Sequence, residues 1–212
     1  MIYYFEEIEL FQRSDMERAF RYLSDQRKEK VIKYRYFKDK RLSVLAYLLL
    51  RYGLKKEYGM SLVPEFDLGS FGKPYLSGHN AINFNLSHCD QGIVCAIDRE
   101  TVGIDITEIK KENLTIFEAM SFLEKEKIKS SAKPEKQITI FWSLKESYLK
   151  YLGLGIDKYL SELDFSSVNQ NTFYYREKLF QIFENNNAII TLCSNKKMEI
   201  RKVNTNEILA EL

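Results

Sequence analysis

The chain has 212 residues, of which 45% are hydrophobic and 29% are charged, and its formal net charge is +2. This composition predicts a globular protein of one large or two small domains, and the balanced charge argues against binding of nucleic acid. The longest apolar run, residues 42–50, is too short to cross a bilayer, so no membrane association is expected. Three cysteines without paired spacing and an acidic N-terminus predict a cytoplasmic protein with free thiols.

The first third of the chain predicts one strand followed by two helices. Aromatic and acidic residues 2–10 favour an edge strand, and residues 15–23 favour a helix. Ser24 or Asp25 can cap a second helix over residues 26–37, which is strongly basic. This basic run is consistent with a solvated helix face or with a phosphate-binding site, and the residues alone leave both open.

A buried helix, a loop and a hairpin are predicted next. Residues 41–54 are almost continuously apolar, and residues 59–78 are rich in glycine and proline. Residues 82–97 alternate as a hairpin with its turn at 89–92. His88 lies at a strand end, where a lone histidine is more often structural than functional.

An acid inside an apolar strand is the first strong functional signal. Residues 102–107 alternate in polarity, so that Gly103, Asp105 and Thr107 share one face. A buried carboxylate needs a partner or a metal ion, and the small Gly103 leaves room for another group to approach.

A second carboxylate lies on the helix predicted for residues 141–150. The apolar stripe of this helix, which should face a core, consists of Phe141, Leu144, Tyr148 and Leu152. Trp142, Glu146 and Lys150 share a different face. Glu146 and Lys150 are consistent with an exposed pair worth a few tenths of a kcal/mol, or with a functional carboxylate that works with Asp105.

The remaining pattern is weaker. Residues 108–140 show helical periodicity that is broken at 130–135, and residues 203–212 show no firm pattern. Strands are predicted at residues 163–165, 173–183 and 188–193, with a turn at residues 185–187.

Taken together, the motifs GIDI, WSLKESYLK and FNLSH resemble those of the phosphopantetheinyl transferases, in the longer single-chain branch related to surfactin synthetase activators. The resemblance spans roughly residues 24–155. It implies an α+β fold, built as a pseudo-twofold pair of similar halves, each with an antiparallel sheet and packed helices. The active site would lie in the cleft between residues 1–101 and residues 102–212, which is where we expect the halves to divide.

The resemblance also implies a reaction. The family transfers the 4′-phosphopantetheine group of coenzyme A to a serine of an apo acyl or peptidyl carrier protein and releases 3′,5′-ADP. Asp105 and Glu146 would hold Mg²⁺, Glu146 would help to deprotonate the serine, and Lys150 would neutralise the pyrophosphate. Many relatives have a third acid where this chain has Thr107, and Glu108 should point to the opposite face, so we expect a two-carboxylate site.

Contacts with coenzyme A follow from the same resemblance. They are expected at Arg27, Lys30, Ser43, Gly72, Lys73, Pro74, Ser87 and His88. The first three would hold the 3′-phosphate, the GKP tripeptide would lie along the adenine with Lys73 supplying charge, and the SH pair would contact phosphate. A monomer is expected. Two alternatives remain: a non-catalytic module that binds coenzyme A or a carrier, and an unrelated Mg²⁺-dependent phosphohydrolase, which should show further clustered acids.

Overall fold

The computed structural model describes residues 1–61, 63–111, 114–155, 160–185 and 187–212. The fold is α+β, as predicted. The strands are β1 (Ile2–Phe5), β2 (Phe66–Leu68), β3 (Pro74–Leu76), β4 (Asn83–Cys89), β5 (Gly92–Asp98), β6 (Gly103–Glu108), β7 (Thr172–Tyr175), β8 (Lys178–Asn185), β9 (Ala188–Ser194) and β10 (Ile200–Lys202). The helices are α1 (Arg13–Phe20), α2 (Asp25–Lys33), α3 (Phe37–Tyr58), α4 (Leu114–Glu118), α5 (Phe122–Lys129), α6 (Pro134–Leu152) and α7 (Thr205–Glu211).

The two larger sheets repeat one arrangement. Their strand orders are β10-β1-β5-β4 and β6-β9-β8-β7, and every pairing is antiparallel except that of β1 with β10. In each half one strand is followed by three helices and then by the hairpin that pairs with that strand. The order β1-β5-β4 therefore corresponds to β6-β9-β8, which is the predicted pair of similar halves.

Each half buries a long helix against its sheet. Helix α3 is buried over its whole central part, residues 41–54, against β1, β4 and β5. Helix α6 covers β6 and β9 with Phe141, Leu144 and Tyr148 of the predicted stripe, whereas Leu152 at the helix end is 45% exposed. None of the described helices is long and apolar enough to cross a membrane.

A third apolar cluster joins the two sheets. It includes Ile2, Tyr4, Val94 and Ala96 from the first sheet and Ile104, Ile106, Ile190 and Leu192 from the second. Beside this cluster, the Asn85 side chain of β4 accepts a hydrogen bond from the Ile104 N–H of β6 at 2.8 Å. The sheets therefore meet along β4, which carries Ser87 and His88, and β6, which carries Asp105.

Strand β1 is not an edge strand, which corrects the prediction for residues 2–10. It pairs with β5 on one side and with β10 on the other. The acids that suggested an edge follow Phe5, where the strand ends. The unassigned segment at the chain end supplies β10 and then α7, which Asn204 caps, and both lie against the first half. The division at residue 101 stays a prediction.

The predicted strand over residues 173–183 is in fact two strands, β7 and β8. They turn at Arg176 and Glu177, whose φ angles are +46° and +63°. Such two-residue turns favour asparagine or glycine, so no turn signal was visible. Residues 163–165 form no strand in the described part of the chain, and Leu163 and Phe165 fill the second core instead. Asn186, inside the turn predicted at 185–187, lies outside the described residues.

Several helix ends also differ from the prediction. Helix α2 ends at Lys33 and is capped by Ser24, while α3 begins at Phe37 and continues to Tyr58. Gly53 lies inside α3, and a Cβ at that position would overlap the Ile97 side chain of β5, so the glycine allows the helix to pack closely on that strand. The periodic region 108–140 comprises α4, α5 and the start of α6, and its residues 112–113 lie outside the described part.

Candidate active site

Asp105 is buried between β6 and α6. Only 4% of its surface is exposed, and Thr107 donates to its Oδ2 at 2.6 Å, which confirms that the two residues share one strand face. A Cβ at Gly103 would overlap backbone atoms of Ser147 and Tyr151. The room that Gly103 leaves is therefore filled by the backbone of α6, which brings that helix onto the Asp105 face.

Asp105 accepts hydrogen bonds from several elements. Ser143 donates to Oδ2 at 2.9 Å, and Ser87 donates to Oδ1 at 2.9 Å. The Lys150 ammonium donates to Oδ1 at 2.6 Å. Burial favours the neutral acid, but Lys150 and these donors outweigh it and hold the pKa of Asp105 below its usual range. Asp105 is therefore an ionised carboxylate fixed where β4, β6 and α6 meet.

Glu146 is the less satisfied of the two carboxylates. It is only 5% exposed, so the reading as an exposed surface pair with Lys150 is wrong. Its Oε2 lies 3.9 Å from the Lys150 ammonium, and its Oε1 has no hydrogen-bond partner among the described residues. Burial first, and the negative charge of Asp105 second, raise the pKa of Glu146 to about 7, which Lys150 only partly opposes.

The two carboxylates fit a magnesium ion. Mg²⁺ is a hard cation that prefers oxygen ligands, and a buried carboxylate with an unpartnered oxygen is stabilised by a cation. In the part of the chain that the structure describes, no group of three or more His, Cys, Asp or Glu side chains forms a metal cluster. Glu108 instead accepts hydrogen bonds from Gln91 and Lys110, at 3.1 Å and 2.8 Å.

The GKP loop borders the same site. A cavity of about 250 Å³ separates this loop from the end of α6. Its lining includes Gly72, Lys73 and Pro74 on one side and Glu146 and Lys150 on the other. The loop is thus next to the carboxylate pair, although the Lys73 ammonium donates to backbone carbonyls of the β6 and α6 segments. Its contact with a nucleotide stays a prediction.

A positively charged cluster lies on the first half. The Arg27 guanidinium lies over the rings of Tyr47 and Phe66 and donates to the Ser43 hydroxyl at 3.3 Å. Among the described residues no acid pairs with Arg27 or Lys30. Burial first, and the charge of Arg27 second, lower the pKa of Lys30. Two neighbouring cations without a carboxylate partner favour the binding of an anion.

His88 connects this basic cluster with the carboxylates. It lines a cavity of about 450 Å³ together with Thr107, and its neighbour Ser87 bonds Asp105 directly. Partial burial lowers the pKa of His88, and the charges of Lys150 and Lys30 lower it further. His88 is therefore close enough to feel the charges of both Lys30 in the basic cluster and Lys150 beside Asp105.

Sequence reasoning missed several supporting residues. Ser143 is fully buried against Asp105, and its place one helical turn before Glu146 was an available signal. Lys145 is also fully buried and pairs with Glu124 at 2.7 Å. No pattern links these two residues, because they are distant in sequence and meet only when α5 packs on α6.

Two family sequence profiles cover most of the chain. The profile described as "4'-phosphopantetheinyl transferase, N-terminal" matches residues 11–100, and the one described as "4'-phosphopantetheinyl transferase superfamily" matches residues 101–194. With the paired halves and the buried carboxylates between them, these matches define the class. The chain belongs to the 4′-phosphopantetheinyl transferase superfamily, in its longer single-chain branch.

Individual members of the superfamily are moderately similar to this chain in sequence. The L-aminoadipate-semialdehyde dehydrogenase-phosphopantetheinyl transferase of Saccharomyces cerevisiae is 30% identical over 192 residues, 80% of this chain and 70% of the yeast protein. A 4′-phosphopantetheinyl transferase of Bacillus subtilis is 32% identical over 63% of this chain and 62% of its own length. The transferase gsp of Aneurinibacillus migulanus is 34% identical over 63% of this chain and 57% of its own length. The chain thus spans somewhat less than two thirds of the two bacterial relatives.

Proposed function

We propose that this protein transfers the 4′-phosphopantetheine group of coenzyme A to a serine of an apo acyl or peptidyl carrier protein, with Mg²⁺ bound, and releases 3′,5′-ADP. The observation that carries the proposal is Glu146, a buried carboxylate whose Oε1 has no partner among the described residues and which lies beside Asp105 and Lys150. Such an arrangement is costly unless a cation and a phosphate complete it.

Recognition of coenzyme A is assigned to the first half. Arg27, Lys30 and Ser43 bind the 3′-phosphate, because this cluster offers two cations and a hydroxyl without a competing acid. Ser87 and His88 contact the adjoining phosphates. In the GKP loop, Gly72 has a φ of +81° and gives the backbone close access to the adenine, and Pro74 stiffens the loop.

The chemistry is a phosphoryl-type transfer. The serine oxygen of the carrier forms a bond to the β-phosphorus of coenzyme A, and the bond from that phosphorus to the bridging oxygen breaks. Glu146 accepts the serine proton directly or through water, and Lys150 neutralises the departing 3′,5′-ADP. Mg²⁺ held by Asp105 and Glu146 would supply stabilisation of the negative charge on the pyrophosphate.

A non-catalytic module that binds coenzyme A or a carrier is the second candidate. It is disfavoured because both carboxylates and Lys150 are kept, and a module that only binds has no need for them. We also propose that the protein is cytoplasmic, in keeping with its three free cysteines, and that it acts as a monomer.

Release of 3′,5′-ADP tests the proposal. We expect the product when coenzyme A, Mg²⁺ and an apo-carrier are all present, and no product when a chelator is added or the carrier is omitted. Hydrolysis of coenzyme A without any carrier would support a phosphohydrolase, and binding of coenzyme A without release of product across many carriers would support the non-catalytic module.

A further inference from the structure

The hydrogen-bond partners of the Lys73 ammonium differ from those expected of a lysine that binds a nucleotide phosphate. Its Nζ donates to the carbonyl oxygens of Val102 at 3.0 Å, Lys150 at 2.7 Å and Tyr151 at 3.3 Å. An ammonium has three N–H donors, so these three carbonyls use all of them. Little hydrogen-bonding capacity is left for a phosphate.

These carbonyls belong to the two segments that carry the site. Lys150 and Tyr151 lie in the last turn of α6, and Val102 immediately precedes β6. The Lys150 carbonyl also accepts a hydrogen bond from the N–H of Gly153, the residue that caps the helix, at 3.3 Å. A cation at a helix C-terminus is also favoured by the helix dipole. The stem of Lys73 passes over Gly153, where an added Cβ would lie 3.6 Å from the lysine Cδ.

We infer that Lys73 is a positioning residue, which fixes the end of α6 against the start of β6 and so places Lys150 relative to Asp105. Lys73 holds the carbonyl of Lys150, whose side chain reaches Asp105 Oδ1 at 2.6 Å. Its other anchor, Val102, lies three residues before Asp105. Burial lowers the pKa of Lys73 to about 8, as expected for an ammonium removed from water.

This inference rests on the proposed function and makes a specific kinetic statement. If Lys73 positions Lys150, its loss should slow the transfer step while coenzyme A still binds. For Lys73→Met we expect kcat to fall by about tenfold or more and KM for coenzyme A to change by less than about threefold. The preference for coenzyme A over dephospho-coenzyme A should be retained, because the 3′-phosphate is bound elsewhere.

Lys127→Met is the matched control. The Lys127 ammonium also donates to backbone carbonyls, those of Ser166 at 2.8 Å and Val168 at 2.9 Å, but it lies outside the site. This variant should keep the kcat of the wild type. In the protein without coenzyme A, metal or carrier, hydrogen exchange of the amides of residues 150–154 should be faster in Lys73→Met and unchanged in Lys127→Met.

Three results would overturn the inference. They are a higher KM with lost preference for coenzyme A, equal loss of kcat in both variants, and unchanged hydrogen exchange at the end of α6. Should Lys73→Met fail to fold, Lys73→Gln, which keeps an N–H donor, gives the same measurements with the same expected direction. A wild type that transfers nothing would refute the proposed function, whereas the exchange experiment would still decide the role of Lys73.

Discussion

Asp105 and Glu146 are two buried carboxylates with opposite electrostatic settings. Asp105 accepts hydrogen bonds from Ser87, Thr107, Ser143 and Lys150, which stabilise its charge. Glu146 has an oxygen without a partner in the described part of the chain, and its pKa is raised to about 7. One carboxylate is thus held ionised by its donors, and the other gains most from the arrival of a cation.

Glu146 should make the metal-free protein less stable as the pH rises. Its pKa is raised from 4.5 to about 7, so the folded state holds the proton more tightly than the unfolded state. The resulting stabilisation is complete below pH 4.5 and is lost as the pH rises through about 7. In Glu146→Gln the side chain cannot ionise. The unfolding free energy of this variant, measured relative to that of the wild type, should therefore rise by about 1–3 kcal/mol from pH 5 to pH 8.

Denaturant unfolding with a chelator at both pH values measures this difference. Saturating Mg²⁺ should remove the disadvantage of the wild type at pH 8, because the ion compensates the charge of Glu146. A difference between the two proteins that is the same at pH 5 and pH 8 would show that Glu146 does not have the raised pKa on which this prediction depends.

Asp105 and Thr107 should differ sharply in importance. Thr107→Val removes one of the hydrogen bonds to Asp105, worth about 1 kcal/mol, and should lower the transfer rate by less than about tenfold. Asp105→Asn removes the charge of a proposed magnesium ligand and should lower the rate by at least about 10²-fold. Magnesium titration of the rate for both variants is the measurement. Equal damage would mean that Thr107 is a true ligand and that the two-carboxylate account is incorrect.

At the scale of elements, the site depends on the close approach of β6 and α6. This approach is possible because residue 103 is a glycine, and an added Cβ would overlap the backbone of α6 at Ser147 and Tyr151. The far end of a flexible side chain can move aside to make room for a methyl group, but the backbone of a packed helix cannot move without a large cost in free energy. The spacing between the strand with Asp105 and the helix with Glu146 is therefore set by Gly103.

Gly103→Ala should be strongly destabilising. We expect a loss of about 3 kcal/mol or more in unfolding free energy, because the methyl group forces β6 and α6 apart. Gly155→Ala is the control, since no atom lies within 4 Å of an added Cβ there, and its effect should stay within about 0.5 kcal/mol. Chemical denaturation followed by circular dichroism gives both values. A mild effect at Gly103 would show that the strand and the helix can separate without cost.

The elements that were predictable from the sequence are those with strong local patterns. The alternation of residues 102–107 correctly predicted β6, and the helical stripe of residues 141–150 correctly predicted the second half of α6. The β7–β8 turn at Arg176 and Glu177 was hidden, because neither residue type marks a positive φ. The sequence also did not show that β1 is an interior strand, because one of its neighbours is β10, which lies almost 200 residues later in the chain.

The site was predictable only as a set of motifs. The residues alone could not decide whether Glu146 was exposed, since its burial depends on how α6 lies on β6. The contacts of Lys73 and the pairing of Lys145 with Glu124 could not be read from spacing either. Each joins segments that are distant in the chain, and only tertiary packing brings them together.

At the scale of the whole molecule, the proposed function requires coenzyme A to lie across both halves. The basic cluster with Arg27 and Lys30 belongs to the first half, and the pair of Asp105 and Glu146 belongs to the second. Strands β4 and β6 meet between them, where Ser87 bonds Asp105. A ligand with phosphates at both ends of this cleft would therefore be held by the two halves together.

Arg27→Ala tests the 3′-phosphate end of the cleft. The variant should bind coenzyme A more weakly by about 1–3 kcal/mol, the scale of a lost charge-assisted hydrogen bond. Dephospho-coenzyme A lacks the 3′-phosphate, so its already weaker binding should change much less. Calorimetric titration of both ligands is the measurement, with Arg18→Ala on the exposed face of α1 as the control. Equal losses for the two ligands would place the 3′-phosphate elsewhere.

The most direct test of the central claim is the mass of a carrier protein after incubation with this protein. A broad panel of apo-carriers from fatty acid, polyketide and peptide synthesis would be mixed with coenzyme A, Mg²⁺ and the folded protein. We predict that at least one carrier gains the mass of a single phosphopantetheine group on its serine, and that Glu146→Gln reduces this gain by at least about 10²-fold in rate. No mass increase on any carrier, or a near-normal rate with Glu146→Gln, would contradict the account.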